Sequence, residues 1–293
     1  MRLIVLLISL VVAAGQQSPG PLPVPQLNID APPQDVDLAA ARMRLESFDR
    51  TRLRGVMRVV GLKDPGPAIR VVLASETSEW ARHVPPSTAG FAVGEDSLVI
   101  LFPSRSPTYP HDSLEDVLHH EVAHVLITRA TGGKPLPRWF HEGLAMAAER
   151  TWGLEDQARL LEELTFVAPT DLANVNALFT QDEGARIRAY TLAGAFVRDL
   201  IRQHGSSAPA DMLTRVAAGA SFDDAFAEAI GHSVADEETA FWNRHRFWMR
   251  WGLFLTTSTA LWMIVTLLAL YAILRRRQQR AALRKKWAEE GSE

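Results

Sequence analysis

The amino-acid sequence predicts a mostly helical α+β protein, in which a small N-terminal sheet packs on a helical body and a C-terminal helix crosses a membrane. Three short apolar runs between residues 69 and 102 are β-branched or aromatic and are separated by turn residues, which is typical of strands. From residue 112 onward, apolar residues recur instead at helical spacing. Near the C-terminus a long uncharged run ends in a basic cluster, the pattern of a membrane-spanning helix.

The composition excludes several classes of protein. The chain has 293 residues, of which 47% are hydrophobic and 22% charged, so it is neither a disordered nor a collagen-like polymer. It has no cysteine, which rules out a disulfide scaffold, thiolate metal ligands, a cysteine nucleophile and a lipidated cysteine anchor. The net charge is −3, and residues 16–251 alone carry −8, so we expect no nucleic-acid partner.

The N-terminus resembles a secretory signal. Residues 1–15 combine the positive Arg2 with the apolar run Leu3–Ala14 and with small residues suited to cleavage before Gln16. The apolar run is well short of the roughly 20 residues that cross a bilayer, which favours a cleaved signal peptide over an uncleaved anchor. Residues 16–35 are rich in proline and polar side chains and are predicted to form a flexible linker.

The C-terminal region predicts a transmembrane helix at residues 252–274. Leu253–Leu274 carries no charge and spans about 33 Å as a helix, which is enough to cross the hydrocarbon layer. The basic tail, residues 275–293, indicates the cytoplasmic side. A buried core helix is the alternative. We therefore expect a single-pass cell-membrane protein whose N-terminal domain lies outside the cytoplasm, in the periplasm or extracellular space.

A folded domain is predicted between these ends, at residues 36–250. Val36–Leu62 has helical spacing and predicts one amphipathic helix. Strands are predicted at Ile69–Ala74, Gly90–Val93 and Leu98–Phe102. Further helices are expected near residues 113–130, 140–151, 155–165, 187–204, 209–218, 221–230 and 234–250.

The pentapeptide His120-Glu121-Val122-Ala123-His124 is the most informative motif. Asp112-Ser113 upstream and Gly132-Gly133 downstream predict the start and stop of a helix that carries it. His120 and His124 then share one face and can bind one cation, whereas Glu121 is rotated by about 100° and can reach a water that the metal polarises. Two imidazoles with an adjacent carboxylate base suit zinc-dependent hydrolysis. The alternative is a polar helix face with incidental histidines.

The segment from Trp139 to Ala145 offers a third ligand. The short loop Thr131–Arg138 should return a second helix antiparallel to the first, so that Glu142 can face both histidines. His141 is the competing ligand, and only one of the two can face inward, because neighbouring helical residues point about 100° apart. Small residues should let the two helices approach closely: Val122, Ala123, Gly143, Ala145 and Ala147.

Together, His120–His124 and Trp139-Phe140-x-Glu142-Gly143-x-Ala145 resemble the gluzincin zinc metallopeptidases, and most of all the bacterial peptidase MA-like domains. The resemblance spans roughly Ile69–Trp242. It implies a thermolysin-like helical zinc-site subdomain with one Zn2+ per chain, bound by His120, His124 and Glu142. It also implies that Glu121 is the catalytic base and that the substrate is a peptide or protein.

One position departs from the family pattern. Thermolysin-like enzymes have an aspartate one turn after the ligand glutamate, where it orients a ligand histidine, and this chain has Met146 there. A carboxylate that orients the histidines would then come from Glu149 or Asp116, or a backbone carbonyl would replace it.

The resemblance also suggests an oxyanion donor and a substrate-binding strand. Tyr190 lies well after Glu142, where aminopeptidases have a catalytic tyrosine; the alternative is a buried tyrosine that packs against the site helix. Leu98–Phe102 precedes the site helix, where the family has an edge strand that pairs with extended peptides; the alternative is a strand that only covers the core. His204 is predicted to interact with a helix dipole, and His232 to be a surface group.

Three functions remain open from the sequence. The first is a membrane-anchored extracytoplasmic zinc metallopeptidase. The second is a catalytically relaxed zinc-binding domain that acts as an envelope interaction protein, which the missing aspartate at Met146 would favour. The third is a zinc hydrolase acting on a non-peptide ester or amide. Glu121 separates the first two, because a structural zinc site needs no base beside an open coordination position. The substrate sequence and the oligomeric state are not predicted.

Overall fold

The computed structural model describes residues 22–32, 34–107, 110–149, 153–166, 171–255 and 262–277. Within them the chain is a mostly helical α+β fold with a small N-terminal sheet, as the sequence predicts. The predicted signal peptide, Tyr109 and the basic tail beyond residue 277 lie outside the described residues.

The sheet has four strands, β1 (Leu27–Asp30), β2 (Ile69–Leu73), β3 (Gly90–Val93) and β4 (Leu98–Leu101), in the order β1-β2-β4-β3. β1, β2 and β4 are parallel, and β3 pairs antiparallel with β4. The three predicted strands are confirmed. β4 lies between two partners, however, so of the two interpretations left open for Leu98–Phe102 the edge strand is wrong and the strand that covers the core is supported. The hairpin turns β3 back along β4 and makes β3 the edge.

β1 is a correction to the predicted flexible linker of residues 16–35. Leu27 and Ile29 are buried while Asn28 and Asp30 face outward, and the strand pairs with β2 in register. This alternation of buried and exposed residues is only four residues long and follows a proline-rich stretch. The proline-rich composition therefore favoured the prediction of a linker over that of a strand.

The predicted helix Val36–Leu62 is two helices, α1 (Val36–Glu46) and α2 (Leu53–Val60). A one-turn 3₁₀ helix at Arg50–Arg52 separates them. Asp49 starts that turn, because its side chain accepts hydrogen bonds from the backbone N–H and the hydroxyl of Thr51. Helical spacing alone does not show such a break, since apolar residues continue on both sides of it.

Between residues 110 and 255, the described part of the chain forms eight further helices: α3 (Leu114–Ala130), α4 (Arg138–Glu149), α5 (Leu154–Phe166), α6 (Leu172–Leu178), α7 (Glu183–His204), α8 (Ala208–Ala218), α9 (Phe222–Ile230) and α10 (Val234–Leu255). Seven match predicted segments, and α6 was not predicted. Residues 262–277 are also helical. Of the helices in the described residues, none is both long and apolar enough to span a bilayer. Residues 256–261, inside the predicted membrane segment, lie outside the described part.

The helix α3 occupies the centre of the fold. It packs against β3 and β4 on the sheet and against α2, α4 and α8 among the helices. His120 is 2% exposed and Glu121 6%, so their polar groups lie within the core. Burying such groups is costly unless they are paired or bind a ligand, which points to a functional site at this position.

Candidate metal centre

Local signals set the bounds of α3, which carries the predicted motif. Ser113 caps the helix by accepting a hydrogen bond from the backbone N–H of Asp116. At the other end, Gly132 and Gly133 have φ values of 61° and 79°, a left-handed conformation that favours glycine. The predicted start and stop are confirmed, and the helix between them carries His120 and His124 on one face.

His120, His124 and Glu142 form a compact triangle of ligand atoms. The Nε2 atoms of the two histidines are 3.0 Å apart, and Oε2 of Glu142 lies 3.4 Å from each of them. Glu142, rather than the competing His141, therefore completes the triangle. Helix α4 supplies it because α4 packs directly on α3.

The triangle has the dimensions of a zinc site. A tetrahedral ion bound at about 2.0–2.1 Å keeps its ligand atoms about 3.3 Å apart, close to the three separations seen here. Oε2 of Glu142 is buried and has no hydrogen-bond partner among the described residues. Two imidazole nitrogens and one carboxylate oxygen converge here, and hydrogen bonds among them cannot use all of their lone pairs. A divalent cation can bind all three atoms.

Glu142 is the anionic member of this set. Burial alone raises the pKa of its carboxyl, but His124 and His120 outweigh burial and hold the pKa well below its ordinary value. Arg138 adds a positive charge at 3.7 Å from Oε1, across one turn of α4. The carboxylate is thus ionised at neutral pH, as a metal ligand must be.

Gly143 positions α4, but not in the way the sequence suggests. We expected it to let α4 approach α3. A Cβ atom at Gly143 would instead lie 2.4 Å from the carbonyl oxygen of Ala193, on α7. Because Gly143 has no side chain, α4 packs directly against the backbone of α7. This contact fixes the position of the neighbouring residue, Glu142.

His141 lies behind His124 of the triangle. Its Nε2 is 3.4 Å from Nδ1 of His124, a long hydrogen bond. Burial and the neighbouring His124 lower the pKa of His141 to about 3, so it is neutral at physiological pH. A neutral imidazole at this place can orient the ring of His124, which is the work of a carboxylate in many zinc sites.

Of the two carboxylates considered for that orienting role, Asp116 is engaged elsewhere, and Glu149 stays a prediction. Asp116 pairs with Arg52 and Ser113 near the start of α3, and the side chain of Glu149 lies outside the described part. Met146 is buried against Gly194 of α7. The position of the family's aspartate is thus part of the contact between α4 and α7.

Glu121 lies beside the triangle and faces the sheet. A Cβ atom added to Gly90 of β3 would come within 3.1 Å of the Cγ of Glu121, so the strand passes directly over this side chain. Glu121 and the three residues of the triangle line one cavity of about 510 Å³. A carboxylate inside the same cavity as the triangle can reach a water molecule that an ion held there would bind.

Tyr190 of α7 also lines this cavity. Its ring is 6.5 Å from that of His120 and packs edge-on against Phe179 at 5.2 Å. Burial, followed by the charges of Glu142 and Glu121, raises the pKa of Tyr190 well above its ordinary value. The hydroxyl therefore keeps its proton and is a hydrogen-bond donor in the site.

Among the lining residues that were not predicted from the sequence, one is a histidine and two are arginines: His111, Arg138 and Arg186. The ring of His111 lies 4.6 Å from that of His120. The guanidinium of Arg138 stacks 4.8 Å over Phe179. His111 comes two residues before the Ser113 cap. Its closeness in sequence to the His120–His124 motif is the signal that could have indicated a residue of the site.

The free edge of β3 faces the cavity, which Ala89–Ala92 help to line. The N–H of Phe102 donates to the carbonyl of Ala89, so these residues form a hydrogen-bonded pair of the antiparallel ladder. Because such pairs alternate, the backbone groups of Gly90 and Ala92 point away from β4, toward the free edge. An extended chain in the cavity could pair with them.

Comparison with known protein families matches residues 109–246 to the family model described as Peptidase MA superfamily. The match covers the triangle, the cavity wall at Tyr190 and nearly all of the helical body, and it leaves the four strands outside. It confirms the resemblance drawn from the two motifs. A search of the curated proteins gave no match.

Proposed function

Because residues 109–246 form a domain of the peptidase MA superfamily, we propose that the protein is a zinc metallopeptidase that hydrolyses peptide bonds. The supporting observation is the triangle of His120, His124 and Glu142, whose spacing suits one zinc ion. Glu121 in the same cavity supplies the base that a purely structural zinc site does not need.

The side chains around the cavity divide the chemistry. A zinc ion held by the triangle would supply Lewis acidity, polarising a water molecule and the substrate carbonyl. Glu121 takes the proton from the attacking water and passes it to the departing amine nitrogen. Tyr190 donates its hydroxyl proton in a hydrogen bond to the carbonyl oxygen as negative charge develops there. His141 holds the ring of His124 in place.

A peptide is the substrate class that fits the cavity. The backbone groups of Gly90 and Ala92 on the free edge of β3 give an extended peptide a strand to pair with, whatever its side chains. Pairing would lay the scissile bond across the mouth of the triangle. This supports a peptide over the non-peptide ester or amide considered from the sequence.

We further propose that the peptidase domain is exported and held at the cell membrane by residues 252–274, with the C-terminus in the cytoplasm. The support is the uncharged run Leu253–Leu274, the basic residues that follow it, and the signal-like residues 1–15. Trp262–Leu274, within this run, has highly exposed apolar side chains, which suit a lipid environment.

Metal removal tests the peptidase proposal on the full chain, purified in detergent from the membrane fraction. A chelator should abolish hydrolysis of a mixed fluorogenic peptide library, and stoichiometric Zn2+ should restore it, because the triangle holds the metal that activates water. Hydrolysis that persists without metal would refute the proposal. Loss of the chain from the membranes after an alkaline carbonate wash would refute the anchoring.

Tyr190→Phe tests the assigned hydrogen-bond donor. Removing the hydroxyl should lower kcat by about 10²–10³-fold and leave KM nearly unchanged, because the bond strengthens only as charge develops on the oxygen. Zinc content and thermal stability should match the wild type, since the ring still packs on Phe179. An unchanged kcat would support the alternative, in which Tyr190 only packs against the site.

A further inference from the structure

A second group of potential metal ligands lies away from the cavity. It combines His204 at the C-terminal end of α7, His232 in the turn before α10, and Glu237 in the first turn of α10. As predicted, His204 lies in the last turn of α7, where it can interact with the helix dipole, and the side chain of His232 is 36% exposed. The structure adds a contact that the sequence did not predict. Each histidine contacts the same carboxylate.

The two histidines converge on one oxygen atom. Nε2 of His204 is 2.9 Å and Nε2 of His232 is 2.6 Å from Oε2 of Glu237. One potential ligand atom of each residue lies within 4.8 Å of those of the other two. The set is two imidazoles and one carboxylate, the same donor types as in the cavity.

Glu237 is held as a ligand would be. It is 2% exposed, and its other oxygen, Oε1, accepts a hydrogen bond of 2.6 Å from Arg244. Arg244 also pairs with Asp199, which offsets its positive charge. The carboxylate is thus oriented, with Oε2 directed at the histidines.

The histidines leave a path for an ion. Their side chains are 22% and 36% exposed, so an ion can enter from solvent and keep a water ligand. The present distances are shorter than the separation of about 3.3 Å that a tetrahedral ion imposes on its ligands. His232 lies in a turn and is the more exposed ring, so a small outward movement can open the site.

We propose that His204, His232 and Glu237 form a second site for a divalent transition-metal ion such as zinc, which fastens the start of α10 to the end of α7. Helix α7 carries Tyr190 on the cavity wall, and α10 leads toward the predicted membrane segment. The ion would therefore join the helical body to the helix that continues to the anchor. This site does not depend on peptidase activity.

Zinc content of the full chain tests the second site. After dialysis against Zn2+ and removal of excess ion, the wild type should hold two ions per chain and His232→Ala one. His120→Ala/His124→Ala should hold one ion, which is lost when His232→Ala is added. The control His83→Ala, at an exposed histidine bonded to the backbone of Glu79, should keep two.

Thermal unfolding gives a second readout that needs no activity. Zinc should raise the Tm of His120→Ala/His124→Ala, and His232→Ala should remove that increment, because ligand binding to the folded state stabilises it. Wild type and His232→Ala with equal zinc content would overturn the second site. A third outcome is a wild type that holds one ion, which is lost in His232→Ala but kept in His120→Ala/His124→Ala. That outcome would support the second site and refute the zinc site in the cavity.

Discussion

Glu121→Gln should lower kcat for peptide hydrolysis by about 10²–10⁴-fold while zinc content stays that of the wild type. The amide keeps the shape of the side chain but cannot accept a proton from the attacking water. Glu121 lies outside the triangle of His120, His124 and Glu142, so its replacement leaves the ligand atoms untouched. The measurement is steady-state turnover of a fluorogenic peptide, paired with elemental analysis of the same preparation.

Glu115→Gln is the matched control for this substitution. Glu115 lies on the same helix, pairs with Arg44 at the surface and does not line the cavity. Its replacement should leave turnover unchanged. If Glu121→Gln also retains full turnover, the base is elsewhere, and the zinc-binding interaction domain becomes the better description. Loss of zinc in Glu121→Gln would instead make this residue part of the metal site.

Gly143→Ala should destabilise the protein by about 1–3 kcal/mol and weaken zinc binding by about 10–100-fold. The new Cβ would lie 2.4 Å from the Ala193 carbonyl oxygen and 2.7 Å from the Cγ2 of Val197. The Ala193 carbonyl belongs to the backbone of α7 and cannot change conformation as a flexible side chain can, so α4 must move away from α7. Glu142, the preceding residue, must then shift relative to the imidazoles. Denaturant unfolding and a competitive zinc titration measure the two effects.

Gly184→Ala is the control for Gly143→Ala. Gly184 lies in the exposed first turn of α7, where the nearest atom to an added Cβ is the Asp182 Oδ1 at 3.4 Å. Alanine favours the helix there by up to about 1 kcal/mol, so stability should be equal or higher and zinc affinity unchanged. Wild-type stability and zinc affinity in Gly143→Ala would contradict the close contact of α4 with α7.

The bounds of α3 and the three predicted strands could be predicted from the sequence, because they depend on residues that are neighbours along the chain. The Ser113 cap and the Gly132-Gly133 stop define α3, and the helical repeat then brings His120 and His124 to one face. The three predicted strands carry β-branched or aromatic residues between turns, and they formed as expected. The short strand β1 and helix α6 were missed, since neither presents a long periodic pattern.

Which of Glu142 and His141 completes the triangle depends on how whole helices pack against one another. Both residues stand at the start of α4, and the helical repeat allows either one to face α3. Contact of α4 with α7 at Gly143 sets the rotation that turns Glu142 toward the histidines and leaves His141 behind His124. Likewise, the pairing of β3 with β4 decides which strand has a free edge.

By itself, the sequence determined the helical motif, the class of donor atoms and the resemblance of residues 109–246 to the peptidase MA superfamily, because these depend on residue type and on spacing along the chain. Only the tertiary structure decided that Glu142 closes the triangle, that β3 borders the cavity, and that His204, His232 and Glu237 meet. These residues come from segments far apart in the chain. Their meeting depends on how buried helix faces fit together, which no local spacing encodes.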